Sequence, residues 1–144
     1  MANTSTNEYL VWQLGEHCFA LDLIECREII PEMAVTQVPH AEDSVAGIAN
    51  IRGAVLAVYD LPVLLGYESK KSAAKARMII RVKQYQRDFG IAADCVFDVV
   101  PVADDKVRDL PGNFSELEAR YVRAIAVLPE KIALVIHAGA IETE

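Results

Sequence analysis

What most constrains this chain is the rhythm of its apolar residues, which come in short β-type runs broken by turn residues. Residues 9–14 lead through Gly15-Glu16-His17 into residues 18–23, the pattern of a hairpin. Residues 28–30 end at Pro31, and residues 35–38 end at Pro39. Residues 48–51 lead through Arg52-Gly53 into residues 54–59, and further runs follow at 77–82, 89–102, 122–128 and 132–136. Strands of this length at a spacing of roughly 8–12 residues predict antiparallel barrels or a sandwich. Their number exceeds the need of one five-stranded barrel, and two small barrels around a shared core close every edge.

Helical signals are few. Asp60-Leu61-Pro62-Val63-Leu64-Leu65-Gly66 has an acidic N-cap, an early proline and a glycine past the end, which predicts one or two turns. Ser115 followed by Glu118 has the form of a capping box. The expected class is therefore all-β with one or two short helical turns. Residues 68–76 are small, polar and basic and read as an exposed connection, while residues 104–115 form a second, charged loop.

At 144 residues, 53% of them hydrophobic, the chain has the volume and composition of one folded unit, expected over residues 8–142. A net charge of −7 argues against nucleic acid and against anionic membrane surfaces as partners. The polar opening residues do not read as a secretory signal, and the apolar runs are shorter than the roughly 20 residues that span a bilayer. Cys18, Cys26 and Cys95 are odd in number and lie among apolar neighbours, as reduced core residues of a cytoplasmic protein do.

No catalytic constellation, metal site or cofactor motif is expected. His17, His40 and His137 are isolated, no cysteine spacing fits a metal, and no glycine-rich loop stands between a strand and a long helix. A Cys–His nucleophile built on Cys26 or Cys95 requires the fold to bring a histidine close. Asp104-Asp105 reads as solvated charge in a polar loop. Glu28 is different, because a charge inside an apolar strand needs solvent or a partner.

Three stretches, in order, resemble the CheW family. The first is Tyr9-Leu10-Val11-Trp12-Gln13-Leu14-Gly15 continuing to Phe19-Ala20-Leu21-Asp22-Leu23, and the second is Cys26-Arg27-Glu28-Ile29-Ile30 followed by Val35-Thr36-Gln37-Val38-Pro39. The third and most specific is Gly47-Ile48-Ala49-Asn50-Ile51-Arg52-Gly53, running through residues 54–59 to Asp60-Leu61. Phe89-Gly90-Ile91-Ala92-Ala93-Asp94-Cys95-Val96 is a weaker echo. Ala20 and Pro31 stand where members often carry glycine, and the residues after 136 leave at most a stub of the closing helix many members have.

The resemblance implies two five-stranded SH3-like barrels and a non-enzymatic, cytoplasmic adaptor. One surface would bind the regulatory domain of a CheA-type histidine kinase, and a groove would hold the cytoplasmic tip of a chemoreceptor. It further implies that Arg52 belongs to the coupling surface. Glu28 and Arg52 are expected to meet in space. Gly53, with Gly47, reads as a turn glycine and Asn50 as a turn hydrogen-bonder. Ile29, Val38 and Ile48 are the apolar residues expected beside the groove, with ordinary core packing as the competing reading. Three further readings stay open: an adaptor of a pilus-motility or other receptor-linked pathway, a domain cut from a larger kinase or adaptor-receiver fusion, and a small β-barrel ligand-binding protein or enzyme.

Overall fold

Residues 9–14 are apolar at nearly every position because the strand they form is buried on both sides. The computed structural model describes residues 5–31, 35–39, 42–67, 78–84 and 86–141. Strand β1 (Thr6–Leu14) is followed by β2 (His17–Asp22), β3 (Cys26–Pro31), β4 (Val45–Ile51) and β5 (Ala54–Tyr59). Helix α1 (Leu61–Leu64) precedes β6 (Met78–Gln84), β7 (Arg87–Ala93), β8 (Cys95–Ala103) and β9 (Val107–Arg108). Helix α2 (Glu116–Tyr121), β10 (Val122–Val127) and β11 (Ile132–Ile136) complete the described elements.

Two sheets result. One has six strands in the order β8-β1-β2-β11-β10-β9, the other five in the order β3-β6-β7-β5-β4. The fold is the expected pair of small β-barrels with little helix, the sixth strand of the larger sheet being the two-residue β9. Successive side chains of a strand point to opposite faces, so β1 feeds two cores. Leu10, Trp12 and Leu14 join Phe19, Leu21, Val58, Phe89, Ile91 and Ile136 in a cluster drawn from both sheets, whereas Tyr9 and Val11 join Ala20, Val102, Ala126 and Val135 in a smaller one. Residues after β11 contribute too: Ala138, which opens a 3-10 turn, and Ile141, which follows it, are fully buried in the shared core.

The chain crosses between the sheets at sharp local features. A 3-10 turn at Leu23–Glu25, capped by Asp22, carries it from β2 to β3. Asp94 carries it back from β7 to β8, its N–H donating to the Gln13 carbonyl (2.8 Å) and its Oδ2 accepting from the Gly15 N–H (2.8 Å). The single run expected at 89–102 is thus two strands in two sheets. Residues 35–38 form no strand. Thr36 alone bridges Ile48, through two backbone hydrogen bonds of 2.8 Å, and Pro39 has no N–H with which to continue a ladder. That bridge requires Gly47, where a Cβ would meet the Thr36 carbonyl and lie 2.7 Å from Val35 Cγ1.

The local helix signals hold. Asp60 accepts from the Val63 N–H (3.3 Å), Gly66 follows α1 at φ 81°, and both halves of the Ser115–Glu118 capping box are made. Among the described residues no helix is long and apolar enough to cross a membrane. The connection expected at 68–76, like His40, lies outside the described residues.

Candidate partner-binding site

The β4–β5 hairpin closes with Ile51 paired to Ala54 and two central residues, Arg52 and Gly53, at φ 51° and 88°. Positive φ at both positions defines a type I′ turn, which matches the twist of the strands it joins. Asn50 supports it, its Oδ1 accepting from the Gly53 N–H at 3.0 Å. Gly53 suits its position. Arg52 does not, being the one non-glycine residue at positive φ among those described. Asn would fit there with less strain.

From that strained position the guanidinium reaches Glu28 on β3. Arg52 Nη1 and Nη2 donate to Glu28 Oε1 and Oε2, each at 2.7 Å, a fork-to-fork pair. Strands β3 and β4 stand at opposite ends of the five-stranded order, so this pair links β3 to the turn that follows β4. Glu28 also meets Arg81, its ladder partner on β6, whose Nη1 donates at 3.0 Å. Arg81 in turn grips Asp88 of β7 through Nε (2.9 Å) and Nη2 (2.6 Å). The hydrogen bonds from Arg52 and then Arg81 hold the Glu28 carboxyl down to about 2. Asp88 is likewise held below its ordinary value by Arg81, and both arginines are raised by their carboxylates.

The structure therefore brings Glu28 and Arg52 together as expected and sets Asn50 and Gly53 in the same turn. All seven candidate residues lie on the β3–β7 barrel or the segment leading into β4. Ile29 is exposed, Val38 and Ile48 are half-buried, and none joins either core cluster. Sequence reasoning missed Arg81 and Asp88, although Arg81 carries the same signal as Glu28, a lone charge inside an apolar run. It also missed Val55, which is 62% exposed on the same hairpin, opposite Asn50.

Other features offer little chemistry. Burial pushes the Cys18 and Cys26 thiols above their ordinary value, the wrong direction for a thiolate nucleophile, while Cys95, expected in the core, is exposed on β8. Among the described residues no three His, Cys, Asp or Glu side chains are grouped to hold a metal. A cavity of about 700 Å³ is lined by residues 100–103, Lys106 and residues 127–129, with Lys106 its single charged side chain.

With this geometry in place, the likenesses to known proteins are informative. Residues 8–144 match the family described as CheW-like domain. The chain is 30% identical to a "Probable chemotaxis protein CheW" of Rhizobium etli over 143 residues, covering 99% of this chain and 91% of that one. It is 31% identical to "Protein PilI" of Pseudomonas aeruginosa over 86 residues, 60% of this chain and 48% of that one. Its fold matches the crystal structure of the scaffolding protein TtCheW from Thermoanaerobacter tengcongensis, with a TM-score of 0.77, 23% identity, and coverage of 92% of this chain and 89% of that one. A chain matched over this length, with its Asn50–Gly53 turn and its paired barrels in the expected places, belongs to the CheW-like domain family.

Proposed function

We propose that this protein is a chemotaxis adaptor, coupling the cytoplasmic tip of a chemoreceptor to the regulatory domain of a CheA-type histidine kinase. It works in the cytoplasm, carries out no reaction, and acts as one CheW-like unit over residues 8–142. The observation that carries the reading is Arg52. A turn that Asn would fit with less strain holds an arginine in a left-handed backbone, with its side chain 73% exposed. Strain retained at an exposed side chain points to a role in recognition.

Glu28, Ile29, Val38, Ile48, Asn50, Arg52 and Gly53 make the working surface. The charges set its orientation, and the partly exposed Ile29 and Ile48, with Val55 on the same hairpin as Ile48, supply apolar anchors for a helical receptor tip. Receptor state then reaches the kinase as a change in the relative free energies of its active and inactive forms. Single contacts can be weak, because an array multiplies them.

The test is a titration of the folded protein against a purified CheA-type regulatory domain and, separately, a receptor tip fragment. Saturable binding to both is expected, with Arg52→Ala weakening one of them about tenfold while remaining folded. Failure to bind either would sink the reading. The likeness to PilI favours a second one, an adaptor of a pilus-motility pathway. Preferential binding to the kinase and receptor of such a pathway would select it.

A further inference from the structure

The chain first passes from the six-stranded to the five-stranded sheet at the 3-10 turn Leu23–Glu25, and that turn holds a carboxyl poorly provided for. Glu25 is half-buried, and its Oε2 is enclosed by protein with no hydrogen-bond partner among the described residues. A carboxylate there gives up hydration without regaining it as hydrogen bonds, so the charged form is disfavoured. Burial lifts the Glu25 carboxyl above its ordinary 4.5. Arg123 opposes the lift, Asp22 adds to it and His137 opposes it again, and burial prevails. Asp22 cannot help, since it accepts from the Ile24 N–H with one oxygen and from Asn7 with the other.

The opposing charge is placed by a break in the neighbouring ladder. β10 pairs Val122 with Ile136 and Ala124 with Val135, which leaves Arg123 as an extra residue between them. A bulge of this kind re-aims a side chain, and Arg123 is exposed. His137, the first residue after β11, is anchored at the same end, its N–H donating to the Tyr121 carbonyl at 2.7 Å. Strands β1 and β6 also touch the turn, but their charged residues, Glu8, Arg81 and Lys83, do not act on Glu25. The turn itself is loosely held. Ile24 is 87% exposed, and its capping bond to Asp22 is long at 3.3 Å. It leads directly into β3, whose Glu28 and Ile29 belong to the working surface.

We propose that Glu25 is a proton switch at the crossing between the barrels. Protonated, its carboxyl stays folded into the turn; ionised, it swings out to Arg123 and draws the turn toward β10. The root of β3 moves with the turn, so the strength of partner binding follows the pH of the cytoplasm. The switch itself needs no partner, whereas its effect on binding rests on the adaptor reading.

NMR titration tests the switch alone. The Glu25 carboxyl carbon should titrate above 4.5, and the backbone amides of residues 23–26 and 122–124 should move with the same midpoint. Glu25→Gln should abolish that movement, while His137→Gln should leave it in place. Arg123→Gln should raise the Glu25 midpoint further and still the amides of β10, an effect that a merely structural role for Arg123 would not produce. A midpoint at or below 4.5, amides of β10 that do not follow it, or movement lost with His137→Gln instead, would each overturn the switch.

Titration of wild type and Glu25→Gln against the receptor tip fragment tests the consequence, because the amide mimics the protonated acid. The two affinities should agree below the Glu25 midpoint and part by about fivefold above it. A ratio that stays constant across the midpoint would overturn the link to binding. Failure of wild type to bind any partner would remove the adaptor reading, and the NMR titration would still decide the switch.

Discussion

A left-handed backbone at Arg52 is disfavoured by the clash of its Cβ with the following carbonyl, and the short polar side chain of Asn tolerates that conformation better. Arg52→Asn is therefore expected to keep or raise the melting temperature by a few degrees while losing partner binding, as thermal melts beside titrations would read. A fall in both would make Arg52 an ordinary structural residue. Glu28 gives a prediction in pH. Its carboxyl is held from an ordinary 4.5 down to about 2, first by Arg52 and then by Arg81. A depressed acid adds stability that is complete above about 4.5 and disappears as pH falls to about 2. The urea midpoint of wild type should thus exceed that of Glu28→Gln at neutral pH, and the gap should close between pH 4.5 and 2. A gap independent of pH would mean the arginines do not hold the ionised form.

Between elements, Tyr67 ties the two halves of the molecule. It follows α1, stacks on His17 of β2 with ring centroids 4.9 Å apart, and donates its hydroxyl to Glu118 Oε2 of α2 at 2.5 Å. Glu118 is also the reciprocal half of the capping box, so one carboxylate serves both a helix start and a contact across the halves. Tyr67→Phe should cost about 0.5 to 1 kcal/mol and speed hydrogen exchange in the first turn of α2. Unchanged exchange there would show that the hydroxyl is not holding the helix. The caps of α1 and α2 were legible in the sequence because their partners lie three residues apart. Glu28 and Arg52 were legible because a charge in an apolar strand demands a partner and a turn arginine was on offer. Arg81 carries that same signal, but one arginine already answered the charge of Glu28, and the sequence alone does not say which strand lies beside β3. The division at Asp94 was hidden because β7 and β8 are both largely apolar, so the run continues across the corner. β9 was hidden by its brevity within a polar loop.

On the scale of the whole molecule, the path of the chain decides how it can unfold. The six-stranded sheet is built from β1 and β2 together with β8 to β11, and everything in the five-stranded sheet lies between them in sequence. Neither sheet can form without bringing distant segments together, and the larger core cluster draws on both. The six-stranded sheet has a small cluster of its own, but the larger one is shared, with Leu10, Trp12 and Leu14 from one sheet filling the same space as Val58, Phe89 and Ile91 from the other. The barrels are therefore expected to unfold as one cooperative unit. A binding event on the β3–β7 barrel would then be felt in both, as an adaptor holding two partners at once requires. Ile91, fully buried in β7, offers the decisive variant. Ile91→Ala should lose about 2 to 5 kcal/mol, and the loss should appear equally in the fluorescence of Trp12, which sits in the other sheet, and in far-UV circular dichroism. Protection against native-state hydrogen exchange should fall by the same factor in β1 and β6, since both open only with the whole. A variant that melts in two steps, or that loses protection in β6 while β1 keeps its own, would show two independently stable barrels and remove the mechanical link between them.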